Sequence, residues 1–343
     1  MNIIVLCGGL SQERDVSIIS GRHAAAALRE LGHRAVLVDL FYGYTLPYDK
    51  PEDVFCADYF DDLGGISDEV PDLEAVKSSR PDGLGRIGRN VLDICAAADL
   101  VFMALHGEDG EDGKVQAMFD LAGIRYTGTG SLGSALAMNK GVAKQLFAEN
   151  GILTPHGITV RRSDKIYADV GFPCVVKPRS GGSSVGTSVV QKEEEYAAAL
   201  EFAFRYEDTV IVEQYIRGRE CDVGVLAGQA LPAIEICPKS GFFDYKNKYQ
   251  AGMTDEYCPA DLPEQTEQLL RQQALKVFDA LMLDVYARMD FIVDEQGRAW
   301  CLEANTLPGL TPASLMPKEA AAAGLSYNEF IRTIVSRSME KYE

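Results

Sequence analysis

Continuous apolar runs stand at residues 3–7 (Ile-Ile-Val-Leu-Cys) and 100–105, with a further strand at 34–40 between them, the pattern of parallel strands buried on both faces. Gly8-Gly9-Leu10-Ser11 turns out of the first run into a segment of helical period that stops at Gly32. Strand, helix and strand make a βαβ unit, with the right-handed crossover such units almost always take. Helical spacing returns at Val115, Met118, Phe119 and Ala122, again at Leu270, Ala274, Val277, Phe278 and Leu281 behind Pro263, and last over residues 327–341. From Gly151 the pattern changes to short strands at 172–177, 187–191, 209–216 and 221–237 with one helix over 193–206, which predicts a small second domain.

Residues 288–309, RMDFIVDEQGRAWCLEANTLPG, alternate instead, and predict two strands joined by the polar turn Asp294-Glu295-Gln296-Gly297. Pairing Asp294 with Gly297 sets Asp290 opposite Cys301 and Arg288 opposite Glu303. One face then carries Arg288, Asp290, Cys301, Glu303 and Asn305; the other carries Met289, Phe291, Val293, Trp300, Leu302 and Ala304. Two carboxylates and an amide oxygen above a core are costly without a cation, and oxygen donors suit a hard ion such as Mg2+ on a nucleotide phosphate. A solvent-facing hairpin with ordinary surface charges fits the same alternation.

Composition narrows the class. The chain has 343 residues, 47% hydrophobic and 24% charged, enough for two or three domains with cores of their own. Lys and Arg number 33 against 51 Asp and Glu, a net −18, which argues against a nucleic-acid or anionic-membrane surface. The opening MNIIVLCGG is apolar for too few residues to be a signal peptide, and no run approaches the roughly 20 apolar residues that span a bilayer. Eight cysteines contain no CxxC pair, so free thiols in a reducing cytoplasm are expected rather than zinc or disulfides.

Candidate chemistry gathers at strand ends and glycine turns. Glu13 and Ser17 fall near the first helix start, where open α/β sheets bind ligands, although an acid there also complements the helix dipole. His106 closes a buried strand before Gly107-Glu108-Asp109-Gly110-Glu111-Asp112-Gly113. Gly128-Thr-Gly130-Ser-Leu-Gly133 matches GxGxxG but follows a short polar strand, 125–127, outside the first βαβ unit, so it is expected to be a turn and helix start, with Lys140 further on. Lys177 ends a strand before the Gly/Ser loop 179–186, whose backbone N–H groups can wrap phosphate, as an empty hairpin loop also could stand there. Glu213-Gln214 interrupt an apolar strand and can present groups to a purine edge, or mark the strand surfacing. Residues 239–257, with Phe242, Phe243, Tyr245, Lys248 and Tyr249, lack periodicity and predict a long active-site cover. Residues 41–90 are acidic and irregular and receive no chemistry.

Seven segments in this order, GGLSQERDVS, ALHGEDGEDG, MNKGVAK, VVKPRSGGSSVG, FFDYKNKY, RMDFIV and LEANTLPGLTPASL, resemble the ATP-grasp superfamily and, within it, the D-alanine–D-alanine ligase family. The resemblance covers nearly the whole chain apart from residues 41–90. It implies an α/β and α+β fold of three domains: a Rossmann-like substrate domain (1–134), a small ATP-grasp subdomain with the phosphate loop (135–216), and a second ATP-grasp subdomain with the metal site (217–343). It implies ATP, two Mg2+ ions (Mn2+ in their place), two molecules of D-alanine, a homodimer, a cytoplasmic location and a role in peptidoglycan precursor synthesis. ATP would phosphorylate one D-alanine carboxylate and the amine of the second would attack the acyl phosphate.

The family's roles carry over residue by residue. Asp290, Glu303 and Asn305 match the metal ligands, and Lys140 and Lys177 the phosphate contacts, beside Ser184, Phe242 and Lys248. Glu213, Gln214, Tyr215 and Ile216 match the adenine pocket and Glu220 the ribose contact. Arg288 and the Gly309 N–H match the oxyanion site. Glu13 would take the first ammonium with His106 close by, Ser314 and Leu315 the second carboxylate, and Glu13, Ser183 and Tyr249 a hydrogen-bonded trio. Asn139 before Lys140, and Gly181, depart from many relatives. Ligases joining D-alanine to D-serine or D-lactate remain the nearest alternative, a nicotinamide oxidoreductase using GTGSLG or a non-catalytic binding protein the more distant ones.

Overall fold

The computed structural model describes residues 1–56, 59, 61, 63, 71–80, 85–164, 170–239 and 254–343. Three sheets organise it. Strands β1 (Asn2–Cys7), β2 (Arg34–Asp39) and β3 (Leu100–Met103) form a parallel sheet in the order β2-β1-β3, as the apolar runs predict. The crossover helix Arg14–Glu30 buries Ile18, Ala24, Ala25 and Leu28 against it. Residues 125–127 are not a strand; Tyr126 makes a single bridge to Val101.

The second sheet is antiparallel: β4 (Gly157–Arg161), β5 (Cys174–Pro178), β6 (Ser188–Val190) and β7 (Thr209–Gln214), in the order β4-β7-β5-β6. One helix, Glu193–Ala203, covers it with Tyr196, Ala199 and Leu200. The third sheet holds β8 (Gly218–Leu226), β9 (Gln229–Ala230), β10 (Ile234–Pro238), β11 (Thr254–Tyr257), β12 (Tyr286–Asp294) and β13 (Ala299–Asn305). Its order is β11-β10-β8-β12-β13, with β9 on β8. Leu270, Ala274, Val277 and Phe278 of helix Glu264–Ala280 pack on it together with Ala143 and Phe147 of helix Lys140–Glu149.

Two expectations need correction here. The expected loop 239–257 ends in an edge strand, since Thr254–Tyr257 pairs with β10; alternate residues there are half-buried, a period too short to stand out in the sequence. In the hairpin, Phe291 rather than Asp290 faces Cys301, and Asp290 faces Glu303, across a register shift between Asp290 and Phe291. This β-bulge puts one extra residue on β13 and changes its phase. Cys301 joins Phe291 and Met289 in the core because the turn pairs Asp294 with Arg298 rather than Gly297; the bulge beyond it returns Glu303 and Asn305 to the side of Asp290, with Arg288 facing Asn305 rather than Glu303 and Leu302 lining the cleft.

The chain returns to its start. Helix Tyr327–Glu340 buries Phe330, Ile331, Ile334 and Val335 in the core of the first sheet. A capping box of Ser326 and Glu329 fixes where it begins, worth about 1 kcal/mol. The preceding helix, Leu315–Ala322, is thereby held between the first and third sheets, with Met316 and Ala320 in the same core.

Candidate active site

One cleft lies between the second and third sheets. Lys177 at the end of β5, Glu213 on β7, and Asp290 and Glu303 on β12 and β13 face into it, with Val175, Ile292 and Leu302 as apolar wall. Ser184, Gln214, Tyr215, Ile216 and Glu220 complete its lining as expected. Lys140 opens helix Lys140–Glu149, whose N-cap Asn139 accepts from Val142 N at 3.2 Å. Its ammonium lies 3.2 Å from Glu303 Oε2 and also donates to the Gly181 carbonyl in the Gly/Ser loop.

Glu213 does not point freely at a ligand. Its carboxylate, 2% exposed, sits between Lys177 Nζ at 2.6 Å and Lys144 Nζ at 2.7 Å. Burial alone would raise its pKa, but the two lysines outweigh that and hold it below the ordinary value. Lys177 shows the converse: burial opposes its charge, and Glu213 and Glu303 override this and raise it. Lys144, which the sequence reading missed, also donates to Thr154 Oγ1 at 2.8 Å and Pro155 O at 3.0 Å. Its helical position one turn beyond Lys140 was the available signal.

A second cavity, ≈ 260 Å³, lies between the first and third sheets and the Gly/Ser loop. Glu13, His106, Ser183, Arg288, Asn305, Gly309, Ser314 and Leu315 all line it, and Glu303 borders both clefts. Glu13, the residue before helix Arg14–Glu30, hydrogen-bonds Ser183 Oγ across the interface. A Cβ on Gly107 or on Gly182 would come within 2.9 Å of Glu13 Oε2, so both glycines are needed to let the carboxylate in. Gly309 is similarly constrained, because its Cβ would lie 2.9 Å from Ser314 Oγ.

His106 is brought to this cavity but is committed to the protein: Nδ1 meets Leu307 O at 2.7 Å and Nε2 meets Ser20 Oγ at 2.9 Å. Burial lowers its pKa, with Glu13 only partly opposing that. It therefore braces the Leu307–Gly309 backbone from behind. Beside it stands Glu111, missed in the sequence, accepting from Gly107 N at 2.8 Å and Leu307 N at 3.0 Å. Burial, then the Glu13 charge, push its carboxyl up to about 7.

Arg288 occupies the floor. Its Nε lies 2.8 Å from Asp290 Oδ1 and 2.9 Å from Asp222 Oδ2, and Nη2 donates to Asp290 Oδ2 at 2.9 Å. Asn305 Nδ2 also reaches Asp290 Oδ2, at 3.1 Å. Beneath lies fully buried Glu319, which accepts from Gly224 N at 3.0 Å and which burial raises to about 8. Among the described residues no three His, Cys, Asp or Glu side chains form a ready metal cage. The oxygen set Asp290, Glu303 and Asn305 nonetheless suits Mg2+, which usually takes one or two carboxylates and fills its shell with phosphate and water.

Phe242, Lys248 and Tyr249 lie outside the described residues. The GTGSLG turn is packed rather than open: a Cβ on Gly133 would meet Met282 O at 2.5 Å, and Lys341 Nζ donates to Gly128 O. A wider hollow of ≈ 480 Å³ outside the Gly/Ser loop has its charges paired internally, Arg86 with Asp109 and Arg179 with Glu207.

Comparison with known proteins decides the family. The D-ala D-ala ligase N-terminus model matches residues 2–129 and the D-ala D-ala ligase C-terminus model residues 146–336. The chain belongs to the D-alanine–D-alanine ligase family. The D-alanine–D-alanine ligase of Lacticaseibacillus casei is 46% identical over all of this chain and 97% of its own length, and that of Pediococcus pentosaceus 44% identical over all of this chain and 99% of its own. The crystal structure of D-alanine–D-alanine ligase from Bacillus anthracis superposes with a TM-score of 0.75 at 31% identity, covering 99% of this chain and 98% of that one. The VanG D-Ala:D-Ser ligase from Enterococcus faecalis superposes equally, TM-score 0.75 at 30% identity, covering 98% and 100%. The GTGSLG turn thus belongs to an ATP-dependent ligase, and the nicotinamide reading falls.

Proposed function

We propose that this chain joins two D-alanines in an ATP-dependent reaction that supplies peptidoglycan precursors, and that the two clefts meeting at Glu303 are its nucleotide and amino-acid sites. The shared carboxylate is the observation that carries the reading, since phosphate and carboxyl must meet at one point for phosphoryl transfer. Lys140 and Lys177 hold the phosphates, and Gln214, Tyr215, Ile216 and Glu220 the nucleoside, with Ser184, Phe242 and Lys248 completing the site. Asp290, Glu303 and Asn305 would hold Mg2+, which when bound would supply charge neutralisation to the phosphates.

Glu13 receives the first ammonium, and that substrate's carboxylate takes the γ-phosphoryl group to give a D-alanyl phosphate and ADP. Ser314 and the Leu315 N–H hold the second carboxylate at the start of helix Leu315–Ala322. The second amine attacks the acyl carbon, the amide bond forms, phosphate leaves, and the amine releases a proton. Arg288 and the Gly309 N–H stabilise the oxyanion, a contribution on the order of 3 kcal/mol per donor. Ser183 and Tyr249 link Glu13 to the cover. We assign the chain to the cytoplasm, divide it at 134/135 and 216/217, and expect a homodimer by sedimentation.

The VanG likeness keeps a second reading in view, with D-serine as nucleophile. ADP release with Mg-ATP and D-alanine alone, then with D-serine or D-lactate added, ranks the nucleophiles. Fastest release with D-alanine alone and recovery of the dipeptide support the proposal; faster mixed-product formation with D-serine or D-lactate overturns the dipeptide assignment.

A further inference from the structure

Arg288 is held by two carboxylates, and only one of them faces a ligand. Asp290 lines the nucleotide cleft, whereas Asp222 lines neither cleft and is 1% exposed. Asp222 lies directly across from Asp290 on the neighbouring strand, with Gly224 opposite Arg288. Its Oδ2 meets Arg288 Nε at 2.9 Å, and its Oδ1 has no hydrogen-bond partner among the described residues. Two acids side by side around one guanidinium repel each other, and burying the second is costly unless it performs a task the first cannot.

The task follows from Asp290 having a second claim on it. A carboxylate that turns an oxygen to a divalent cation loosens its hold on a neighbouring guanidinium. An arginine freed at that moment would lose its aim just when negative charge builds on the acyl carbon's oxygen. We propose that Asp222 is a positioning residue, keeping the Arg288 guanidinium aimed into the amino-acid cavity when Asp290 is engaged by metal. Asp222 touches no substrate; it acts through Arg288 alone. The inference rests on the ligase reading above.

The test is a double-mutant cycle with Asp222→Val, Asp222→Asn and Arg288→Met, measuring kcat, KM for ATP and KM for D-alanine. Asp222→Val is expected to lower kcat at least about tenfold with KM for ATP within about twofold, because the lost interaction is made in the transition state. Asp222→Asn keeps an oxygen at the Nε contact while dropping the charge, and is expected to restore most of kcat. In the Arg288→Met background Asp222→Val costs little further, since the two act as one unit. Unchanged kcat in Asp222→Val, or the same fold-loss in both backgrounds, overturns the proposal. If Asp222→Val does not fold, Asp222→Ala replaces it under the same criteria. Wild-type enzyme in the same assay separates the two readings: no dipeptide from wild type removes the ligase assignment, and dipeptide from wild type with an indifferent Asp222 removes this one.

Discussion

The two clefts carry mirror-image charge clusters. Beside the cleft between the second and third sheets one buried carboxylate, Glu213, stands between two lysines, Lys144 and Lys177. At the floor of the cavity between the first and third sheets one buried guanidinium, Arg288, stands between two acids, Asp222 and Asp290. The first cluster sets two cations against one anion; in the second, burial and the Asp290 charge raise the Asp222 carboxyl well above its ordinary value, which offsets the excess of acids. Glu303, paired with Lys140, sits on the border between them.

The largest effect that tests this contrast is expected at Arg288. Arg288→Met should lower kcat on the order of a thousandfold with KM for ATP nearly unchanged, as for loss of an oxyanion donor; steady-state kinetics decide, and a pure KM effect would move Arg288 out of the chemistry. Next, Glu303→Gln should raise the Mg2+ concentration for half-maximal turnover at least about tenfold, the scale already reached by substitutions in a metal's outer shell. A Mg2+ titration that superposes on wild type would remove Glu303 from the ligand set.

Smaller again is Lys144→Met, which takes one cation from the lysine pair. It should raise KM for ATP about tenfold, some 1.4 kcal/mol of binding, with kcat held. A fall in kcat alone would mean that the lysine pair serves the reaction and not the nucleotide, and the mirror image would break.

The smallest concerns Glu319, raised by burial to about 8 from an ordinary 4.5. Between those values the folded chain keeps a proton the unfolded chain has released. The stability that proton contributes is whole at and below pH 4.5 and is lost as pH rises through about 8. Glu319→Gln, shaped like the protonated acid, should therefore melt near wild type at pH 5 and about several degrees higher at pH 8.5. A pH-independent difference would show that Glu319 carries no titrating proton there.

The first sheet was legible because a strand buried on both faces must be apolar throughout, and residues 3–7 and 100–103 show nothing else. The face that Asp290 shares with Glu303 and Asn305 was legible too, since alternation alone groups them. The register was not. The turn closes on Arg298 rather than Gly297, which put Cys301 on the core face, and the bulge beyond it adds a residue without altering composition. Glu111 was hidden among four acids in the eight residues from His106 to Gly113; nothing local separates it, facing the cavity, from Asp109, paired with Arg86. Asp222 sat in a strand that also carries Arg219 and Glu220, where nothing local hints at the arginine that reaches it from another strand more than sixty residues on. His106 was drawn to the cavity, but its bonds to Leu307 and Ser20 were not legible because they depend on tertiary neighbours.

The extra residue on β13 has a consequence for anyone redesigning this hairpin. Regular pairing carried inward from Phe291 and Cys301 would set Leu302 opposite Asp290 and Glu303 opposite Met289, turning Glu303 and Asn305 toward the core. A more regular ladder of the same sequence would thus part the three oxygen donors. In this enzyme the irregular stitch is what keeps two strands' oxygens in step.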